Sequence, residues 1–149
     1  MRGLSHAIIL MINQPSPKGF GDAVLRAASF MTTDKFFIHA GVDILYPNHK
    51  INLLMMLDHV NKHSVDSVLL YDLVDNPKMY GVIVGNESVT SSLLRIFLRN
   101  QKVPPSNNAV VAVYLFNELL FDALKRTRPR VGEHQLTDAI PFALLIRFI

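Results

Sequence analysis

Apolar residues fall in blocks along this chain, and the spacing within each block separates strands from helices. Ala7–Asn13 is unbroken and apolar up to Ile12, then stops at the turn signal Gln14-Pro15-Ser16-Pro17-Lys18-Gly19. Such runs suit strands buried on both faces, the habit of parallel sheets. Asp22 is placed to cap a helix from Ala23 to about Phe30. Phe36–Ala40 reads as a second buried strand ending at Gly41. From Ile51 to about Lys62 the spacing of Leu53, Leu57 and Val60 predicts a helix, and Val68–Val74 a third strand closed by Asp75-Asn76-Pro77. Alternation of strand and helix predicts an α/β domain with a largely parallel sheet.

The second half is less regular. Tyr80–Val84 and Leu93–Leu98 read as strands that pair across Gly85-Asn86, and Pro104–Asn108 as a loop. Ala109–Phe116 is a further buried strand, and Glu118–Lys125 a helix with Asn117 available as its cap. Pro129 ends that region, and Thr137 is placed to cap a last helix starting near Asp138. No stretch divides the chain, so residues 1–149 are expected to form one domain.

Composition supports a packed core: half of the 149 residues are hydrophobic and 18% are charged, which excludes a disordered or collagen-like chain. With no cysteine, thiolate catalysis, cysteine-based zinc sites and disulfides are excluded. The six apolar residues from Ala7 are too few for a signal-peptide core or a membrane span, so a soluble, cytoplasmic protein without membrane contact is expected. Net charge is only +3, and its one dense basic stretch, Lys125–Arg130, sits at a predicted helix end without interleaved aromatics. Cations there complement the helix dipole, and no nucleic-acid partner is expected.

Five segments carry more than periodicity. Gln14-Pro15-Ser16-Pro17-Lys18-Gly19-Phe20-Gly21-Asp22-Ala23-Val24 resembles the Gln-x-x-Pro-x-Gly-Leu-Gly-x-Ala-Val element of sugar-1-phosphate nucleotidyltransferases. Phe37-Ile38-His39-Ala40-Gly41-Val42-Asp43 is similar to their strand ending in Gly-Asp-Asp, and Asp75-Asn76-Pro77-Lys78-Met79-Tyr80-Gly81-Val82 to their Asp-Pro-x-x-Tyr-Gly-Val. Pro105-Ser106-Asn107-Asn108-Ala109-Val110-Val111-Ala112-Val113-Tyr114 resembles Pro-Ser-Asn-x-Ala-Val-Val-Gly-x-Tyr, and Gly132-Glu133-His134-Gln135-Leu136-Thr137-Asp138-Ala139-Ile140 resembles Gly-Glu-x-Gln-Leu-Thr-Asp-Ala-Ile. The order is the family's own and spans nearly the whole chain. The first and last elements point most toward uridylyl- and thymidylyltransferases acting on glucose 1-phosphate.

The resemblance implies a Rossmann-like, three-layer α/β fold with a mixed, mainly parallel sheet. It implies transfer of UMP or dTMP from the triphosphate to glucose 1-phosphate, giving a nucleotide-sugar and pyrophosphate. Gln14, Pro17, Gly19 and Gly21 would meet the nucleotide, and Gly81, Asn108, Ala109 and Val110 the sugar. Asp43 and Asp138 would be the catalytic carboxylates holding Mg²⁺. The partners implied are a nucleoside triphosphate or nucleotide-sugar and a sugar phosphate.

Departures qualify that implication. The family's Gly-x-Gly-x-Arg triphosphate loop has no counterpart among the 13 residues before Gln14. Val42 stands where a metal-binding Asp is expected, and valine cannot coordinate a hard cation. Arg99-Asn100-Gln101 replaces Glu-Lys-Pro, and Ala112 replaces a glycine. Two readings therefore stand: an impaired nucleotidyltransferase, or a catalytically silent homologue that binds ligand or serves as a regulatory or interaction subunit. A sheet without its opening strand–helix unit exposes an edge or apolar faces, so a homo-oligomer or partner subunit is expected. Structural alternatives remain for single residues: Gln14 as a turn bridge, Asp22 and Asp138 as helix-start residues, Asp43 as an acceptor for backbone amides, and His39 as a packed core residue. His59 and His63, spaced i and i+4, lack the intervening Glu of a zinc-protease helix.

Overall fold

The computed structural model describes residues 8–84, 95–97, 102–129 and 132–145. One strand organises them. In β5 (Asn108–Asn117) every position from Ala109 to Phe116 is apolar or aromatic, as a strand covered on both faces requires. β1 (Lys35–His39) pairs with it from Lys35 opposite Asn117 to His39 opposite Val113. β2 (Ser67–Leu73) pairs along the other edge, from Ser67 opposite Phe116 to Leu73 opposite Asn108, with an irregularity between Leu69 and Leu70. β3 (Val82–Val84) touches β5 at Val82–Ala109 and pairs with β4 (Arg95–Phe97). Because β2 occupies one edge throughout, β1 and β3 share the opposite edge, end to end.

Alternation along β5 builds a core on each face. Tyr114 and Phe116, with Val110 and Ala112 at the margin, meet α1 (Phe20–Arg26), α3 (Leu119–Arg126) and α4 (Leu136–Leu145) through Leu120, Leu124, Leu136 and Ile140. Val113 and Leu115 meet Met56 and Val60 of α2 (His49–His63) on the other face. Phe36 of β1 stacks on Phe121 of α3 with centroids 5.0 Å apart. The result is α/β in three layers, helices above and below one sheet.

Several expectations need correction. All described strand pairings are antiparallel, not mainly parallel. Unbroken apolar runs report burial on both faces, and β5 achieves that while running opposite to β1 and β2, which are thereby parallel to each other but not adjacent. Residues 8–13 belong to no strand, and Ile8 and Met11 are 86% and 97% exposed. An apolar run becomes a strand only where another strand is present to pair with it. α1 starts at Phe20 with Gly19 as its N-cap, so Asp22 lies inside the first turn rather than capping. Thr137 likewise falls inside α4, which starts at Leu136. The first predicted strand of the second half contracts to Val82–Val84, because Pro77–Met79 forms a 3-10 turn before it. His39 is exposed, not core: β1 buries Phe36 and Ile38 and turns the alternate residues outward. The β3–β4 pairing agrees with expectation, while Gly85-Asn86 and Arg99-Asn100-Gln101 lie outside the described residues.

Candidate nucleotide and sugar site

The turn after Gln14 is built from the inside. Gln14 Nε2 donates to Gly19 O at 3.2 Å and to Asp22 Oδ2 at 2.6 Å, and Arg26 Nε donates to the same carboxylate oxygen at 2.9 Å. These contacts hold the Asp22 carboxyl below the usual aspartate range, the Gln14 hydrogen bond first and Arg26 next, with Lys18 adding a smaller charge effect. Gly19 has φ of 95°, a left-handed conformation in which a side chain is strained. Pro17 is exposed beside it.

This turn is fastened to a segment more than a hundred residues away. His134 N donates to Lys18 O at 2.6 Å, and Gly21 N donates to His134 O at 2.7 Å. A Cβ on Gly19 would lie 2.7 Å from His134 O, and one on Gly21 2.8 Å from the same atom. Both glycines are therefore required for the backbones to approach. His134 was absent from the expected site residues. Its signal was the pair of glycines flanking Phe20, which mark a place where another backbone must come close. Its side chain is buried, and Nε2 has no partner among the described residues. Four residues on, Asp138 sits half-buried in the first turn of α4, its amide donating to Gln135 O at 3.3 Å. The first and last resembling segments thus meet.

The remaining residues gather along one edge of β5. Beyond His39 the β1 ladder makes one more bond, Ala40 N to Ala112 O at 2.9 Å. The reciprocal N–H of Ala112 goes instead to Asp43 Oδ2 at 2.6 Å. The loop is folded to allow this: Asp43 N donates to Ala40 O at 3.2 Å, and His39 Nε2 bonds Asp43 O at 2.7 Å. Two residues along, Val110 N donates to Gly81 O at 2.8 Å. Gly81 therefore lies beside the Asn108-Ala109-Val110 stretch of β5. Ser106 holds the adjoining loop, its hydroxyl donating to Ile83 O at 2.6 Å and accepting from Asn108 N at 3.3 Å. The edge opens between the end of β1 and the start of β3. Ligands of α/β sheets characteristically sit at the carboxyl ends of strands where neighbours diverge.

Mg²⁺ has no ready-made cage here. Among the described residues no three His, Asp or Glu side chains cluster to hold an ion, Val42 is exposed, and Asp43 spends one oxygen on Ala112. A nucleotide-borne Mg²⁺ needs only one or two protein carboxylates, since phosphates and water supply the rest. A separate cavity of about 380 Å³, lined by Lys35, Asn61, Asp66 and Asn117 among others, lies at the opposite end of β5 and contains none of the expected residues.

The Nucleotidyl transferase family model matches residues 4–145, and the chain belongs to that family. It is 30% identical over 138 residues to UTP–glucose-1-phosphate uridylyltransferase 2 of Streptococcus pyogenes serotype M3, covering 87% of this chain and 46% of that protein. A crystal structure of UDP-glucose pyrophosphorylase with UDP-glucose superposes with a TM-score of 0.75 at 26% identity, covering 88% of this chain and 52% of the other. The fold is also that of UDP-glucose pyrophosphorylase from Acinetobacter baumanii, with TM-score 0.73, 24% identity and coverage of 93% and 50%. The chain thus spans about half the length of these relatives. Among the described residues no helix is long and apolar enough to cross a membrane.

Proposed function

We propose that this chain supplies base- and sugar-facing walls for transfer of UMP or dTMP to glucose 1-phosphate in the cytoplasm. The observation that carries the reading is the double backbone clasp between Lys18–Gly21 and His134, which brings the Gln14 turn to the start of α4. Relatives named for UTP–glucose-1-phosphate uridylyl transfer support it. In that reaction an oxygen of the sugar phosphate attacks the α-phosphorus, a new P–O bond forms in line, and the bond to pyrophosphate breaks. Gln14, Pro17, Gly19 and Gly21 would border the base, and the Gly81–Val110 edge the sugar. Asp138 and the second oxygen of Asp43 are the carboxylates assigned to Mg²⁺, which supplies neutralisation of phosphate charge when bound. Pyrophosphate release from UTP or dTTP with glucose 1-phosphate and Mg²⁺, lost in Asp138→Ala, is the expected result. No release above a buffer blank would reject the enzyme.

A second reading has its own observation. Asp43 is committed through Oδ2 to the backbone of β5, a structural duty, and Val42 beside it cannot bind a cation. A silent homologue would bind UTP or UDP-glucose in calorimetry without turnover. In either case the exposed apolar run Ile8–Ile12 calls for a covering strand, and self-association or a partner subunit is proposed to provide it.

A further inference from the structure

The Gln14 side chain is held with a defined polarity. Its Nε2 carries two hydrogens, and its two neighbours, the Gly19 carbonyl at 3.2 Å and the Asp22 carboxylate at 2.6 Å, are both pure acceptors. The amide cannot be turned over without setting its oxygen against two other oxygens. Arg26 Nε, at 2.9 Å from the same Asp22 oxygen, anchors the carboxylate from the helix side. The amide nitrogen is thereby used up inside the turn, which leaves Oε1 as the polar atom that Gln14 retains for a further partner. An acceptor there complements a ring N–H, as in N3–H of uracil or thymine. It opposes the bare ring nitrogen that cytosine presents at that position.

We infer that Asp22 is a positioning residue which locks the Gln14 amide as an acceptor, and so selects uracil or thymine over cytosine. The inference deepens the proposed nucleotide site and rests on that reading for Gln14 meeting the base. Asp22 itself need not touch the ligand. Replacing it with a group that can donate as well as accept weakens the preference for one amide orientation, leaving the longer contact to the Gly19 carbonyl as its only fixed acceptor among the described residues.

The test compares the whole chain with Asp22→Asn and Asp22→Glu. In ¹⁵N NMR spectra of the wild type, the Gln14 side-chain NH₂ pair is expected to be displaced from the ordinary glutamine position and protected from exchange. It should return there in Asp22→Asn. An ordinary, unprotected pair in the wild type would overturn the lock. Calorimetry with UTP and CTP then reads selectivity. The wild type should favour UTP by about tenfold or more, the scale of one well-placed hydrogen bond. That ratio should fall toward one in Asp22→Asn and be retained in part in Asp22→Glu. An unchanged ratio in Asp22→Asn would overturn the proposal. Binding of neither nucleotide by the wild type would overturn the functional reading and the base selectivity with it, while the NMR signal still decides the lock independently.

Discussion

The carboxylate of Asp43 accepts the amide hydrogen of Ala112 at 2.6 Å, taking the place of a backbone carbonyl where β1 leaves the sheet. A loop residue thereby finishes a ladder between segments sixty-nine positions apart. Asp43→Ala strands that amide and should cost about 1–3 kcal/mol, the penalty of an unsatisfied, partly buried donor. Asp43→Asn keeps an acceptor oxygen and should cost distinctly less. Denaturant unfolding of both variants checks this; equal stability of wild type and Asp43→Ala would mean that the carboxylate has no structural duty.

Gly19 and Gly41 form a natural contrast. A methyl group on Gly19 would enter the His134 backbone at 2.7 Å in a left-handed conformation, whereas nothing lies within 4 Å of one on Gly41. Gly19→Ala is expected to lower stability by about 1–3 kcal/mol and to weaken UTP binding, and Gly41→Ala to do neither. Thermal melts with and without UTP separate the two.

Acid should loosen the Gln14 turn in a particular window. The folded protein holds the Asp22 carboxyl below its ordinary value, so folding favours the ionised form. That contribution is complete above the ordinary aspartate pKa and is lost as pH falls through the lower, folded value. A carboxyl-carbon NMR titration should give a midpoint below the usual aspartate range, moved upward more by Gln14→Ala than by loss of the Lys18 charge. A midpoint at the usual value would show that the Gln14 contact does not persist in solution.

Ser106 bridges two strands through one hydroxyl. Ser106→Ala removes its bonds to Ile83 O and Asn108 N, and a loss of about 1 kcal/mol is expected. Hydrogen exchange at the Asn108 amide should speed up while exchange at Leu115, in the middle of the sheet, follows only the global loss.

Self-association should depend on the apolar run. Ile9→Lys puts a charge into that run at a residue 86% exposed, a substitution that blunts strand edges. Light scattering should show a smaller species than the wild type at the same concentration. A wild type that stays monomeric at high concentration would remove self-association from the reading.

Much of this was readable in the residues because each block of apolar spacing answers to a local geometry. Leu53, Leu57 and Val60 foretold α2, and the solid apolar stretch Ala109–Phe116 foretold the most buried strand. Strand direction was not readable, since burial on both faces is indifferent to it. Ile8–Ile12 shows the other limit, that apolarity states a need for cover without supplying it. In the candidate site, Gly81 lies beside Val110 through one backbone hydrogen bond, a neighbourhood that periodicity alone does not predict. The His134 clasp is made by backbone atoms, so His134 itself carries no mark of it, and only the two glycines flanking Phe20 signal the close approach. Asp43 showed a duty to Ala112 that residue type alone left open beside the metal role.

The ten-residue strand at Asn108–Asn117 binds β1, β2 and β3, yet it comes last among the described strands. A chain emerging from the ribosome therefore presents Phe36, Ile38, Val68 and Leu70 long before their common partner exists. Pairings so distant along the chain are slow to close, and nascent segments of this kind are vulnerable to misassociation. Synthesis halted before residue 108 should thus yield a sticky, protease-sensitive product, and extension past residue 117 should supply the partner strand that protects it.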